Sequence, residues 1–270
     1  MLELTNLYKT FNYGTPDEVN ALSGVSLAIA AGSFTVILGT NGSGKSTLLN
    51  AVAGSFIVDS GSIKLNGRDI TKLAEYERAA YIGRVFQNPF SGTAPNMTIA
   101  ENLSVASMRG KLRGFSLAFG GGALEEFYER VKNLNMGLED RLDNNIGSLS
   151  GGQRQALTLL MACWNKPELL LLDEHTAALD PKTAAKVLEL TRKAIEKDGL
   201  TTFMVTHSMQ QAVNMGDRIV MVHKGKIIHD FSGADKKALK TKDLYELFED
   251  IKRRELIDPT TCDILKANYV

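Results

Sequence analysis

Hydrophobic and polar positions alternate in short stretches along the first 87 residues, and this period of two predicts β-strands. The predicted strands cover residues 2–7, 25–30, 34–38, 62–65 and 81–86. A turn at Asn66 and Gly67 and a short charged helix near residues 76–80 separate the last two strands. The chain therefore begins as a β-rich unit.

The pattern becomes helical after residue 88 and returns to strands near residue 165. The helices predicted in between cover residues 99–107, 123–134 and 151–164, with a glycine-rich segment at 110–122. The all-apolar stretch at 169–172 is typical of a strand in a parallel sheet that is covered on both faces. Further helices are predicted at 181–197 and 209–215, and further strands at 201–206, 218–223 and 226–229.

These patterns predict an α/β fold with a mainly parallel sheet, an antiparallel β part at the N-terminus and an inserted helical subdomain. We divide the chain into a first part of the core at residues 1–87 and a helical subdomain at 88–165. The second part of the core covers 166–233, and a short helical and charged tail covers 234–270.

Composition excludes some classes of function. The 270 residues are 44% hydrophobic and 23% charged, as in ordinary globular proteins. Lys plus Arg and Asp plus Glu both number 31, so charge gives no reason to expect nucleic acid as a partner. Cys163 and Cys262 lie far apart and are read as free thiols in a reducing compartment. Without a signal peptide or an apolar run of about 20 residues, the chain is expected in the cytoplasm, with any membrane contact made through a partner.

The segment between the strand at 34–38 and the helical stretch at 48–53 has the composition of a phosphate-binding loop. It reads Gly-Thr-Asn-Gly-Ser-Gly-Lys-Ser-Thr, and GxxxxGK[ST] in this setting binds nucleotide phosphates. Glycines let backbone N–H groups turn towards phosphate oxygens, and the following helix adds positive potential. The spacing predicts Lys45 at the β- and γ-phosphates and the Ser46 hydroxyl at Mg²⁺. The nucleotide-binding residues predicted here are Gly39, Asn41, Gly42, Ser43, Gly44, Lys45, Ser46 and Thr47.

Two further segments carry candidate chemistry. Residues 149–155 read Leu-Ser-Gly-Gly-Gln-Arg-Gln before an apolar helix, so they form either an anion-binding helix N-terminus or an ordinary N-cap. Asp173 and Glu174 follow the all-apolar strand. They can bind Mg²⁺ and polarise an attacking water, or they can simply cap the edge of the sheet.

In combination and order, these segments resemble the ATP-binding-cassette (ABC) ATPases, and the resemblance covers roughly residues 2–232. The resemblance identifies residues 150–153 as part of the signature motif, with Ser150, Gly151, Gly152 and Gln153 as ATP contacts. It implies that Asp173 and Gln87 bind Mg²⁺ together with Ser46, and that Glu174, His207 and Gln87 are catalytic. Asp180 matches the D-loop, which lies between the two active sites of a dimer.

The resemblance also implies a head-to-tail homodimer that closes on two molecules of ATP. In each site the phosphate loop would come from one subunit, and Ser150 and Gly152 from the other. Phe11 is the expected partner of the adenine ring, with Tyr13 as the alternative. The chain departs from the family pattern at His175, where proline is usual, and at Ala177, where serine is usual. His175 is either an additional polar contact near the γ-phosphate or a tolerated surface substitution, and we favour the second interpretation.

What the ATPase drives is a second question. The first hypothesis is the subunit of a bacterial importer of the amino-acid type, at the cytoplasmic face of the membrane, with a separate permease and, indirectly, a solute-binding protein. An exposed apolar patch within residues 88–97, made of Pro89, Phe90, Pro95 and Met97, is the predicted docking surface for the permease. The alternative is a soluble single-cassette ATPase of an assembly process, such as iron–sulfur cluster machinery. A small-molecule kinase would leave Gln87 and residues 150–155 unexplained.

Overall fold

The computed structural model describes residues 1–111 and 122–256. The strands in this part of the chain are β1 (Leu2–Phe11), β2 (Val19–Ile29), β3 (Phe34–Leu38), β4 (Ser60–Leu65), β5 (Arg68–Asp69), β6 (Ile82–Val85), β7 (Leu169–Asp173), β8 (Thr202–Thr206), β9 (Arg218–His223) and β10 (Lys226–Ser232). The helices are α1 (Lys45–Ala53), α2 (Glu75–Arg78), α3 (Ile99–Ser107), α4 (Ala123–Lys132), α5 (Gly151–Cys163), α6 (Pro181–Asp198), α7 (Met209–Asn214), α8 (Gly233–Ala238) and α9 (Thr241–Leu256).

The strands form two sheets. The first is antiparallel, with the order β2-β1-β4-β5. The second has the order β10-β9-β3-β8-β7-β6, and all its neighbours are parallel except β10, which runs antiparallel to β9 at one edge. The expected α/β class, with its mainly parallel sheet and antiparallel N-terminal part, is confirmed.

The second sheet is buried on both faces. Alternate side chains of β7 illustrate this, because successive residues of a strand point to opposite faces. Leu170 and Leu172 join an apolar cluster that includes α3, α4 and α5, whereas Leu169 and Leu171 join a second cluster that includes α1 and the antiparallel sheet. Burial of both faces thus explains the unbroken apolar sequence of β7. It also carries Asp173 to the carboxyl edge of the sheet.

The predicted elements differ from the observed ones mainly at their ends. β1 and β2 are longer than predicted and pair from Leu2–Ile29 to Phe11–Val19, with register shifts that accommodate irregular positions in between. The tail contains α8 and α9, and residues 257–270 lie outside the described part, as do residues 112–121 of the glycine-rich segment. Among the described helices, none is long and apolar enough to cross a bilayer. The division of the chain at residues 88, 166 and 234 stays a prediction.

Candidate nucleotide site

The phosphate loop follows β3 and ends where α1 begins at Lys45. Two of its glycines lie against other parts of the backbone. A Cβ at Gly39 would lie 2.3 Å from the carbonyl oxygen of Val222, and one at Gly44 would lie 2.5 Å from that of Ala21. Gly44 also has a φ of 101°, which a residue with a side chain rarely adopts. The glycines are therefore required by the packing of the loop on β9 and β2.

Polar groups of the loop are arranged to receive an anion. The Lys45 Nζ donates to the carbonyl oxygen of Thr40 at 2.7 Å, which holds the ammonium across the loop. The Ser43 hydroxyl is buried and has no hydrogen-bond partner. Burial lowers the pKa of Lys45, while the charges of Glu174 and Asp173 act in the opposite direction. An unpartnered hydroxyl, an ammonium and a helix N-terminus together fit a phosphate group.

The two predicted carboxylates lie at the end of β7. Glu174 has a φ of 41°, in the left-handed region, and its N–H donates to the carbonyl oxygen of Val205 at 3.0 Å. Such a conformation costs about 1–3 kcal/mol and persists only where surrounding contacts hold it. The His207 Nδ1–H donates to Glu174 Oε2 at 3.0 Å. The structure therefore brings together Glu174 and His207, which lie 33 residues apart in sequence.

The predicted magnesium ligands are oxygen donors. Asp173 is largely buried beside Lys45 and Glu174, and burial raises the pKa of its carboxyl group. Ser46 and Gln87 are both exposed, Ser46 in the first turn of α1 and Gln87 just after β6. Hydroxyl, carboxylate and amide oxygens are suited to Mg²⁺, which also keeps several water ligands. The donor set fits this ion.

Helix α5 holds the segment around Gln87. Gln155 Nε2 donates to the carbonyl oxygen of Phe86 at 3.1 Å. The Arg154 guanidinium is buried, donates to the carbonyl oxygens of residues 146, 147 and 149, and lies 3.6 Å from the centre of the Phe90 ring. Arg154 and Gln155 belong to the signature segment, but the sequence alone indicates no role for them. An isolated sequence gives no sign of these long-range contacts.

The signature segment forms the N-terminus of α5. The Ser150 hydroxyl accepts from the N–H of Gln153, and the Gln153 side chain accepts from the N–H of Ser150, both at 3.3 Å. The ordinary N-cap reading is thus correct for this helix end, and it is compatible with anion binding because the cap leaves other N–H groups available. Ser150 and Gly151 are exposed, whereas Gly152 is buried and packs on Thr183 of α6.

Asp180 begins α6, because its carboxylate accepts from the N–H of Thr183 at 3.1 Å. A second set of contacts ties the segment after Glu174 to the loop that carries His207. Gln211 donates to the Thr176 hydroxyl and accepts from the Thr206 hydroxyl, both at 3.0 Å. Gln211 therefore joins two predicted catalytic loops, a role that the sequence analysis did not identify.

Two expectations are wrong. His175 is not on the surface: it is 2% exposed, and its Nε2 lies 3.1 Å from the Thr191 hydroxyl. The Thr191 hydroxyl already donates to the carbonyl oxygen of Val187, so His175 Nε2 must be the donor, and Nδ1 is buried without a partner. Pro89 is buried and does not contribute to the expected exposed patch, in which Phe90 is 50% exposed and Pro95 is also exposed.

The two candidates for the adenine contact differ in their support. Phe11 is half-buried at the end of β1, and its ring meets that of Phe56 edge to face, with centres 5.3 Å apart. The Lys9 Nζ lies 5.5 Å from the centres of both rings. Tyr13 is 84% exposed. A ring that already packs against another side chain loses less conformational freedom when it stacks on a base, which favours Phe11.

Comparisons with known proteins agree with this geometry. The family model described as ABC transporter matches residues 22–177. The tyrosine transport ATP-binding protein of Clostridioides difficile is 44% identical over 92% of this chain and 99% of its own length. The spermidine/putrescine import ATP-binding protein PotA of Haemophilus influenzae is 37% identical over 86% of this chain, which spans 58% of that protein. A dimeric ATP-binding cassette bound to ADP and Pi is similar with a TM-score of 0.74, at 30% identity, over 86% of this chain and 98% of the other.

Proposed function

The chain belongs to the ABC transporter family, and we propose that it is the ATP-hydrolysing subunit of an importer, working through a separate permease. The observation that carries this proposal is the convergence of the phosphate loop, the end of β7 and His207 in one chain that is also 44% identical to a transport ATPase along nearly its full length. As a member of this family the chain binds and hydrolyses ATP. The roles of its individual residues are part of the proposal.

Residues 39–47 bind the triphosphate of ATP. The N–H groups at the N-terminus of α1 would bind phosphate oxygens, and Lys45 would neutralise part of the phosphate charge. Ser46, Asp173 and Gln87 provide oxygen ligands for Mg²⁺. When it is bound, this ion neutralises charge on the β- and γ-phosphates. Phe11 stacks on the adenine ring, supported by Phe56.

Glu174 orients and polarises the attacking water. Its backbone is held by the hydrogen bond from its N–H to the carbonyl oxygen of Val205, and its carboxylate accepts from the side chain of His207. A base that is already held in place does not have to be ordered during the reaction. Because His207 is 56% exposed at its side chain, it can contact the γ-phosphate while it holds Glu174. Gln87 would contact the ion or the water.

Hydrolysis takes place between two copies of this chain. Ser150 and Gly151 are exposed at the N-terminus of α5, whose free N–H groups suit an anion. We assign Ser150, Gly151, Gly152 and Gln153 to the γ-phosphate of the ATP bound by the partner subunit. Asp180 lies close to the same interface, since Leu179 packs 3.5 Å from a Cβ placed at Gly151. The ADP- and Pi-bound relative with the similar fold is itself dimeric.

We propose that the permease contact lies within residues 88–97. Phe90 and Pro95 remain exposed there, and Phe90 rests on the buried Arg154 guanidinium. Because Arg154 also holds the carbonyl groups just before Ser150, this surface is joined to the signature segment by direct contacts. The chain would thus be a peripheral protein at the cytoplasmic face of the membrane. Amino acids are the proposed solute class, supported by the tyrosine transport relative.

The test is purification of the tagged chain from detergent-solubilised native membranes. We expect a polytopic membrane protein in stoichiometric amount, and uptake of labelled tyrosine by vesicles that contain both proteins and a solute-binding protein. Phe90→Glu should abolish co-purification, because it removes the apolar surface. The local structure should be kept, because the new carboxylate can still pair with Arg154. The matched control is Val105→Glu, on an exposed position of α3. Recovery with soluble assembly proteins alone would contradict the transporter assignment and favour an assembly ATPase.

A further inference from the structure

Arg84 is a cation beside the proposed magnesium site to which the sequence analysis assigned no role. It lies on β6, directly opposite Leu171 of the neighbouring β7. Its side chain is 13% exposed, and its Nη2 lies 3.6 Å from Oδ2 of Asp173. This distance is too long for a good hydrogen bond but short enough for a strong interaction between charges in a partly buried site.

The guanidinium is fixed in this position by several other partners. It donates to the Asn50 side chain at 2.5 Å, to the Ser55 hydroxyl at 3.1 Å and to the Glu75 carboxylate at 3.3 Å. The guanidinium carbon, Cζ, lies 4.4 Å from the centre of the Phe86 ring. Asn50 is in α1, which begins at the phosphate loop, and Phe86 precedes Gln87. Arg84 therefore cannot move away from Asp173 easily.

Asp173 consequently interacts with two cations. Lys45 approaches from the phosphate loop and Arg84 from the sheet, while Glu174 adds a second negative charge. A carboxylate that already interacts with a fixed cation offers less negative potential to a metal ion. A fixed positive charge close to the ion also repels it directly.

We propose that Arg84 is a positioning residue that weakens the binding of Mg²⁺ at Asp173; this inference rests on the proposed function, in which Asp173 is a ligand of the ion. The competing interpretation is purely structural: Arg84 would only fasten α1 and α2 to the sheet. The two interpretations predict opposite signs. Loss of a tuning charge tightens metal binding, whereas loss of a structural contact weakens it.

The experiment measures binding of Mn²⁺ to the ADP-saturated protein by the electron paramagnetic resonance signal of free Mn²⁺. ADP prevents turnover, so the readout is independent of activity. Arg84→Met and Arg84→Gln should each bind Mn²⁺ about three- to tenfold more tightly than the wild type. Arg84→Lys keeps the charge but not the guanidinium contacts that fix its position, so its gain in affinity should be smaller than that of the two neutral variants. Glu75→Gln is the matched control, because it removes the exposed partner of Arg84 and leaves the Asp173 pair in place.

Affinity for ADP in EDTA, measured in parallel, reports on the phosphate loop alone and should not change. Unchanged or weaker Mn²⁺ binding in both neutral variants would overturn the proposal. Loss of ADP binding in EDTA by both variants would also overturn it, since Arg84 would then maintain the fold of the nucleotide site. A gain in Glu75→Gln equal to that in Arg84→Met would show that the effect does not come from the charge beside Asp173.

Discussion

Glycine is required at position 152 of the signature segment by packing within its own chain. A Cβ at this position would be 2.0 Å from Cγ2 of Thr183, whereas ordinary carbon contacts are about 3.5–4.0 Å apart. Alanine would force Thr183 into another rotamer or push α5 and α6 apart at this buried position. Such overpacking costs about 1–3 kcal/mol, and the helix propensity of alanine returns at most about 1 kcal/mol. We expect Gly152→Ala to lower the free energy of unfolding by about 1–2 kcal/mol.

The test is a double-mutant cycle with Thr183→Ser. This substitution removes the methyl group but keeps the backbone N–H that donates to the Asp180 carboxylate. Urea unfolding of the two single variants and the double variant should give a coupling energy of about 1–2 kcal/mol. Gly151→Ala is the control, because its Cβ would lie at an ordinary 3.5 Å from Leu179. A coupling energy below about 0.5 kcal/mol would refute the packing argument. A double variant that regains stability but not ATPase activity would show that Gly152 is also needed across the dimer interface.

Two further predictions concern His175 and Phe11. Burial lowers the pKa of His175 to about 4. Between pH 6.5 and 4 the unfolded chain therefore binds a proton that the folded chain does not bind, and the free energy of unfolding falls as the pH falls through this window. In EDTA, the wild type should lose about 2 kcal/mol more than His175→Leu between pH 8 and pH 5 in urea unfolding, and parallel losses would contradict the assignment. Phe11→Ala should weaken ATP binding about fivefold or more in a fluorescence titration, whereas Tyr13→Ala should not; the reverse order would move the adenine contact to Tyr13.

What the sequence predicted correctly is local. The phosphate loop is recognisable because its glycines and the flanking strand and helix are contiguous, and β7 because a strand covered on both faces must be apolar throughout. His175 was misread because residues 174–180 form an irregular loop, which has no periodicity to separate inward from outward positions. The surroundings of Arg84 combine residues from α1, α2, β6 and β7. Such contacts depend on the packing of distant segments, which short-range patterns do not contain.

We propose that two copies of this chain share each ATP. Glu174→Gln should bind ATP without hydrolysing it, and should therefore form a dimer in MgATP and remain a monomer in MgADP, as measured by light scattering after size-exclusion chromatography. Adding Ser150→Arg to Glu174→Gln should abolish the dimer while the affinity of the monomer for ATP stays near that of Glu174→Gln. A Glu174→Gln variant that hydrolyses ATP at the wild-type rate, or one that stays monomeric with ATP bound, would contradict the account.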